Sequence, residues 1–297
     1  MEITFLGTSA GIPTKDRNTT AIHLKFLGNS LLFDCGEGTQ RQMMKAGLSI
    51  QKISHIFISH IHADHLLGLA GLIQTMGFNS RTKELHIYAP KEARKYVNFF
   101  KKWDYLNLGY EIKFHSLKQG TILETQEFKI KAVELKHGIP CYGFVFEEKV
   151  EVNLDKKKLK KYGLKESPLL KELKKKGKIK FKGKTVYLKD VSTQRRKPKK
   201  ISIIMDTKPF EKLAEEVKES DVFICEATHM DELKQKSHEY GHMTAKDAAT
   251  TAKKAGVKKL IITHFSSRYK DAKELQKEAK KIFKETEAAE DFYTIQL

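Results

Sequence analysis

The stretch Ser59-His60-Ile61-His62-Ala63-Asp64-His65-Leu66 constrains this chain more than any other. An apolar run over Ile56–Ser59 leads into it and reads as a buried strand; an apolar helical pattern from about Leu66 to Met76 leads out. Three imidazoles and a carboxylate at such a junction do not serve packing, because buried ionisable groups lose solvation unless something pairs with them. Alternation along an extended chain puts His60 and His62 on one side, and Asp64 and His65, at the turn into the helix, can face a second point nearby. Imidazole and carboxylate donors without thiolates suit zinc first, with manganese or iron as substitutes. Donors of the same types follow other apolar runs: His137 after Val133-Glu134-Leu135-Lys136, Asp206 after Ile203-Ile204-Met205, and His264 after Ile261-Ile262-Thr263. One histidine after a strand is more often a surface residue than a ligand. Four strand ends that all supply ligand types imply a fold that gathers them at one edge.

Elsewhere short β-like runs alternate with helical ones. Strands are expected at Ile3–Leu6, Ala21–Phe26, Ser30–Phe33, His86–Tyr88, Glu111–His115, Phe128–Glu134, Tyr142–Phe146, Ile201–Met205, Val222–Cys225 and Leu260–Thr263. Thr244, with Asp247 three residues on, has the spacing of a helix cap, and Gly256 ends that helix. Hairpins mixed with βα units predict an α+β fold, two mixed sheets enclosed by outer helices, as a single domain over residues 1–297.

Charge is unevenly placed. The chain has 56 Lys and Arg against 37 Asp and Glu, a net +19. Residues 151–200 alone hold 20 basic and five acidic residues, or +15, and the other 247 residues net only +4. Such a block replaces the condensed counterions of a polyanion, which points to nucleic acid. Leu154, Leu159, Tyr162, Leu164, Leu169, Leu170 and Leu173 interleave with the charge and predict short helices broken at Gly163 and Pro168. Ile179, Phe181, Val186, Tyr187 and Leu188 predict a hairpin turning near Gly183. The window is expected to be a structured protrusion rather than a tail.

The His60-x-His62-x-Asp64-His65 signature resembles the metallo-β-lactamase superfamily, with His137, Asp206 and His264 in its order. Further stretches narrow the resemblance to the short form of tRNase Z (ribonuclease Z), the endonuclease that trims tRNA 3′ trailers. They are Phe5-Leu6-Gly7-Thr8-Ser9-Ala10-Gly11-Ile12-Pro13-Thr14-Lys15-Asp16-Arg17-Asn18, Asp34-Cys35-Gly36-Glu37-Gly38-Thr39-Gln40, Cys225-Glu226-Ala227-Thr228-His229, Gly241-His242-Met243-Thr244-Ala245 and Thr263-His264-Phe265-Ser266-Ser267-Arg268-Tyr269.

The resemblance implies an αβ/βα sandwich and two zinc ions per subunit, with Mn2+ as a possible substitute. His60, His62 and His137 would hold the first, Asp64, His65 and His264 the second, and Asp206 would bridge them. A metal-bound hydroxide would hydrolyse the phosphodiester next to the discriminator base of precursor tRNA and leave a tRNA 3′-OH, with Asp64 also orienting the water. His242 is the implied general acid, and Glu226 would fix its tautomer and raise its pKa. Lys15, Arg17 and Asn18 would contact the RNA 3′ region, with hydroxyl contacts from Thr8 and Ser9; Arg268 and Tyr269 read equally as core support or substrate contacts. The basic window falls where family members insert a flexible arm that clamps the tRNA elbow, with Lys174, Lys175 and Lys176 as its contacts. The family's Gly-Pro pair is missing there, its nearest match being Gly163-Leu164-Lys165-Glu166-Ser167-Pro168. Family members are homodimers.

Two other readings share some of these features. A superfamily hydrolase for a small thioester, lactone or phosphodiester would use the same ligands but not a +15 insertion. A catalytically silent RNA-binding member would have lost ligands, and none is missing. No window approaches about 18 uninterrupted apolar residues, the start has no signal-peptide pattern, and three cysteines make no disulfide framework. A soluble cytoplasmic protein without membrane attachment is therefore expected.

Overall fold

The alternating apolar runs form two seven-stranded sheets in the computed structural model, which describes residues 1–102, 108–149, 153–165, 167–193 and 197–297. The first sheet runs Thr294–Gln296, Glu2–Gly7, Ala21–Phe26, Asn29–Phe33, Ile53–Phe57, Leu85–Ala89, Ile112–Ser116. Its first pairings are antiparallel, and those from Asn29–Phe33 to Ile112–Ser116 are parallel. The second runs Thr286–Ala288, Leu260–Thr263, Val222–Glu226, Lys200–Ile204, Tyr142–Glu148, Phe128–Glu134, Gly120–Glu124, and its first four strands are parallel.

Aromatic rings fill the space between the sheets: Phe33 and Phe57 of the first stack at 5.0 Å, and each lies 5.6 Å from Phe144 of the second. The outer face of the first sheet buries Leu69, Leu72, Ile73 and Met76 of the helix Gly68–Phe78. That of the second buries Ala248, Ala249 and Ala252 of Ala245–Ala255. Helices cover both outer faces, which is the expected αβ/βα sandwich. No helix among the described residues is long and apolar enough to cross a membrane.

Parallel strands share a direction, so their carboxyl ends line one edge, where open α/β sheets bind ligands. Ile56–Ser59 is corrected here: the strand is Ile53–Phe57 and stops two residues sooner. The Ser59 N–H is taken by the Asp34 carboxylate at 2.7 Å and leaves the ladder. The apolar pattern from Leu66 also begins earlier, as a turn Ala63–Leu66 followed by Gly68–Phe78. Glycine at Gly68 is required: a Cβ there would lie 1.8 Å from the carbonyl oxygen of Gly36. The Thr244–Asp247 capping box forms on both sides, and Gly256 ends the helix in a left-handed conformation.

Contacts divide the chain into two compact units, Met1–Glu124, Lys129–Phe146 and Lys200–Leu297 as one, Thr125–Phe128 and Glu147–Lys199 as the other. The second contains most of the basic window. Asp155 caps Lys156–Lys161, Gly163 takes a positive φ, and Pro168 opens Pro168–Lys176. Lys178–Phe181 and Lys184–Tyr187 form a hairpin whose turn residues, Lys182 and Gly183, both have positive φ, the twist that suits a two-residue loop. Leu159, Leu164, Leu173, Ile179, Val186 and Val191 bury against one another, so the lysines surround a small core of their own. Glu151, Glu166, Arg195 and Arg196 lie outside the described residues, as does the side chain of Lys175.

One core group makes the fold acid-sensitive. His23 is 2% exposed; its Nε2 meets Ser30 Oγ at 2.7 Å and its Nδ1 has no partner. Burial pushes its pKa down to about 4, below the ~6.5 of an unfolded histidine. Above pH 6.5 neither state is protonated and nothing is lost. As pH falls from 6.5 toward 4, only the unfolded chain takes the proton, at a cost reaching about 3 kcal/mol. Urea unfolding of metal-free protein at pH 7 and pH 4.5 is expected to show this loss. His23→Gln, which can still bond Ser30, is expected to reduce it, with His55 and His229, also pushed down to about 4 by burial, keeping the remainder; an unchanged slope would rule His23 out.

Candidate metal centre

Four of the five clustered histidines, His60, His65, His137 and His264, have one ring nitrogen engaged by a neighbour, which fixes the tautomer and aims the other nitrogen inward. His65 Nδ1 donates to Asp34 Oδ2 at 2.8 Å, and Asp34 also accepts from the backbone and hydroxyl of Ser59 at 2.7 and 2.9 Å. His60 Nδ1 donates to that same Ser59 hydroxyl at 2.9 Å. His137 Nδ1 donates to the Gly241 carbonyl at 3.0 Å. Gly241 has φ 74° and no room for a Cβ, which would lie 2.7 Å from that imidazole. His264 Nδ1 donates to Thr228 Oγ1 at 3.1 Å, and the Thr228 hydroxyl in turn donates to Glu226 Oε2 at 2.6 Å.

The inward nitrogens converge. His60 Nε2 and His137 Nε2 lie 3.0 and 3.2 Å from His62 Nδ1. His65 Nε2 lies 3.2 Å from His264 Nε2, and 3.3 Å from both Asp64 and Asp206. Asp206 stands between the groups, with Oδ2 3.5 Å from His60 Nε2 and Oδ1 3.3 Å from His264 Nε2. His60, His62, His137 and Asp206 make one cluster of donor atoms, and Asp64, His65 and His264 a second.

Lone pairs facing one another repel unless a cation lies among them, and Asp206 Oδ1 is buried without a hydrogen-bond partner. Ionisation reports the same demand. Burial alone would lower His65, but Asp64, Asp206 and Asp34 outweigh it and hold the imidazole well above its ordinary pKa. Burial would raise Asp64 and Asp206, but His65 and His264 outweigh it and hold both carboxyls well below the usual carboxylate range. The donor set fits divalent metal.

Around these groups, Glu226 is fully buried and accepts from the Thr207 N–H at 2.6 Å, from Thr228, and from His242 Nδ1 at 3.2 Å. Burial opposes protonation of His242, but Glu226 and Asp206 overcome it and push its pKa up to about 9. Asp64 is steadied by the Gly11 N–H at 2.7 Å. A cavity of about 330 Å3 opens onto the centre and is lined by Gly11, His62, Asp64, His242, Lys236 and Tyr240 among others.

Several expected contacts prove otherwise engaged. The Thr8 hydroxyl donates to Asp291 at 2.8 Å and that of Ser9 to the Ile12 carbonyl at 2.7 Å; both residues are fully buried and closed to a ligand. Arg17 is half-buried, its guanidinium donating to the carbonyls of Ser266 and Tyr269, so it braces two loops. Asn18 ties the same loop down, its amide donating to the Glu37 carbonyl at 2.7 Å and its backbone N–H to Asp291 at 2.7 Å. Lys15 alone of these is exposed. Tyr269 accepts the Met230 N–H on its hydroxyl at 2.9 Å and is core support, whereas Arg268 is exposed. In the second unit Lys174 is exposed, and Lys176 pairs with Glu172 at 2.7 Å.

Sequence reasoning gave no role to Asp34, Ser59, Thr228 or Gly11. All four lie inside the motif stretches, and a carboxylate directly after the apolar run ending in Phe33 is the one local signal among them.

Comparison with known proteins agrees with this geometry. A family model described as Anti-Pycsar protein Apyc1 matches residues 1–167. The ribonuclease Z of Archaeoglobus fulgidus is 40% identical, covering 100% of this chain and 97% of its own length. Human tRNase Z, short form, superimposes with TM-score 0.74 at 28% identity, covering 100% of this chain and 99% of that one. A metallo-β-lactamase fold protein from Bacillus subtilis superimposes at 0.71 with 18% identity, covering 99% and 98%, a likeness of fold alone.

Proposed function

The chain belongs to the ribonuclease Z family, its first 167 residues also matching the Apyc1 family model, and from that premise we propose its reaction. It is a hydrolytic endoribonuclease that removes the 3′ trailer from precursor tRNA beside the discriminator base. The observation that carries this reading is the convergence of five imidazoles and two carboxylates at one strand edge, in a chain whose basic insertion suits RNA.

Zinc is the metal this donor set favours, two ions per chain, with Mn2+ as a substitute. His60, His62 and His137 would hold one ion and Asp64, His65 and His264 the other, with Asp206 between them. When bound, such a pair neutralises the attacked phosphate and activates water at neutral pH. Asp64, fixed by the Gly11 N–H, orients that water toward phosphorus. The P–O3′ bond breaks, and His242 gives its proton to the departing 3′ oxygen. The tRNA then ends in a 3′-OH and the trailer keeps the phosphate. Glu226 keeps His242 protonated and correctly turned. The arm supplies affinity through Lys174 and its neighbours. Homodimerisation and a cytoplasmic location are carried over from the family resemblance.

A leaving-group comparison tests the role of His242. p-Nitrophenolate departs without a proton, so His242→Ala is expected to slow RNA cleavage by roughly 100- to 10,000-fold, the range for general acids. Hydrolysis of bis-p-nitrophenyl phosphate should fall far less. Equal losses on both substrates would remove His242 from that role. The reaction itself is tested by offering a tRNA with a 3′ trailer beside a small thioester and a lactone. Cleavage beside the discriminator base is expected; intact RNA with rapid ester hydrolysis would favour a small-substrate hydrolase.

A further inference from the structure

Lys236 and Tyr240 have no part in the chemistry above, yet both line the catalytic cavity. They lie four residues apart at the end of the helix Lys234–Glu239, a spacing that puts side chains on one face. Two contacts fix this segment: His229 Nδ1 meets Ser237 Oγ at 3.2 Å, and His238 Nε2 meets Asp247 Oδ2 at 2.8 Å. The Tyr240 N–H closes the last turn on the Lys236 carbonyl at 3.2 Å, and His242 N–H binds the Ser237 carbonyl at 2.8 Å. The segment is thus a fixed platform that also carries His242.

Two features of this platform call for a ligand. Tyr240 is 63% exposed, the most exposed tyrosine among the described residues, although a tyrosine ring ordinarily buries much of its apolar surface. Among the described residues, Lys236 is the single lysine or arginine lining the cavity. An aromatic face and an ammonium beside a phosphodiester-cleaving centre match the two parts of a nucleotide. Stacking of a base on an aromatic ring tolerates any sequence, as variable trailers require, and a lysine meets a phosphate as a point charge.

We propose that Lys236 and Tyr240 form a single-nucleotide subsite at the mouth of the metal centre: Tyr240 stacks the base flanking the scissile phosphate and Lys236 holds the adjoining phosphate. The inference rests on the endoribonuclease reading and deepens it by assigning a residue pair to the unpaired RNA at the cut.

The test is steady-state cleavage of a precursor tRNA by the full-length protein, with intact substrate and with an abasic nucleotide on either side of the cut. Tyr240→Ala is expected to raise KM roughly 10- to 100-fold on intact RNA, and Tyr240→Phe to stay within about twofold, since the ring and not the hydroxyl is used. One abasic substrate should reproduce that loss with wild type and show no further loss with Tyr240→Ala. Lys236→Ala should lower the slope of log affinity against log salt by about 1. A Tyr240→Ala KM within twofold of wild type on intact RNA would overturn the subsite. So would a full Tyr240→Ala loss on both abasic substrates. Wild type in the same assay separates the two claims: if it cuts intact RNA, only the subsite falls; if it does not, both fall.

Discussion

His65→Ala is expected to reduce precursor-tRNA cleavage by more than about 100-fold while leaving RNA affinity within about threefold. His65 is fully buried, and its Nε2 lies within 3.3 Å of Asp64, Asp206 and His264. Losing a partner that merely orients a ligand costs about 10- to 100-fold. Losing a ligand itself, the role proposed for His65, and with it the Asp34 contact at 2.8 Å, costs more. Single-turnover cleavage, filter binding and metal content on the same preparation check this. Metal content should fall by about one ion per chain; near-normal cleavage with full metal would remove His65 from the centre.

The second large effect concerns affinity instead. Asn153 pairs with Thr193 and Leu154 with Ser192 in antiparallel register, so the two ends of the segment 154–192 stand about 5 Å apart and a short glycine link can close them. Replacing 154–192 by two glycines removes 15 of the 18 lysines of residues 151–200 together with the cluster they surround. Affinity for precursor tRNA at 0.15 M salt is expected to fall roughly 100-fold or more. The slope of log affinity against log salt should flatten by about 0.9 for each phosphate the arm had covered. Turnover of bis-p-nitrophenyl phosphate should stay within about twofold. If the salt slope survives the deletion, the charge on the arm is not what holds the RNA.

Local patterns reported local structure well. Ala21–Phe26, Phe128–Glu134 and Leu260–Thr263 form with the bounds their β-like runs imply, and the capping box at Thr244 is a three-residue signal that needs no tertiary help. In the arm, Gly163 falls between the helices, Pro168 opens the second of them and Gly183 lies in the turn, because each acts through its own backbone restriction. Other features depend on distant residues. Thr294–Gln296 is three residues long, too short for a period, and exists because Glu2–Gly7 offers an edge. The strand before the histidines ends where Asp34, 25 residues earlier, captures the Ser59 N–H. Ligand types were legible at His60, His62, Asp64 and His65 because they crowd six residues. The orienting partners Asp34, Ser59 and Thr228 were not, since ordinary strand-end residues acquire that role only once the sheets meet. Arg17, Thr8 and Ser9 show the converse: polar side chains in a loop that looked free for a ligand are used to hold the loop itself.

The central claim is that the strand-end metals cut the RNA and the arm holds it. It is tested most directly by stripping the protein with a chelator and measuring cleavage and binding of one labelled precursor tRNA in parallel, before and after Zn2+ is restored. Stripping should abolish cleavage, leave affinity within about threefold, and be reversed by Zn2+, with products ending in a tRNA 3′-OH at the discriminator base. Cleavage that persists in metal-free protein, or binding that disappears with the metal, would contradict it.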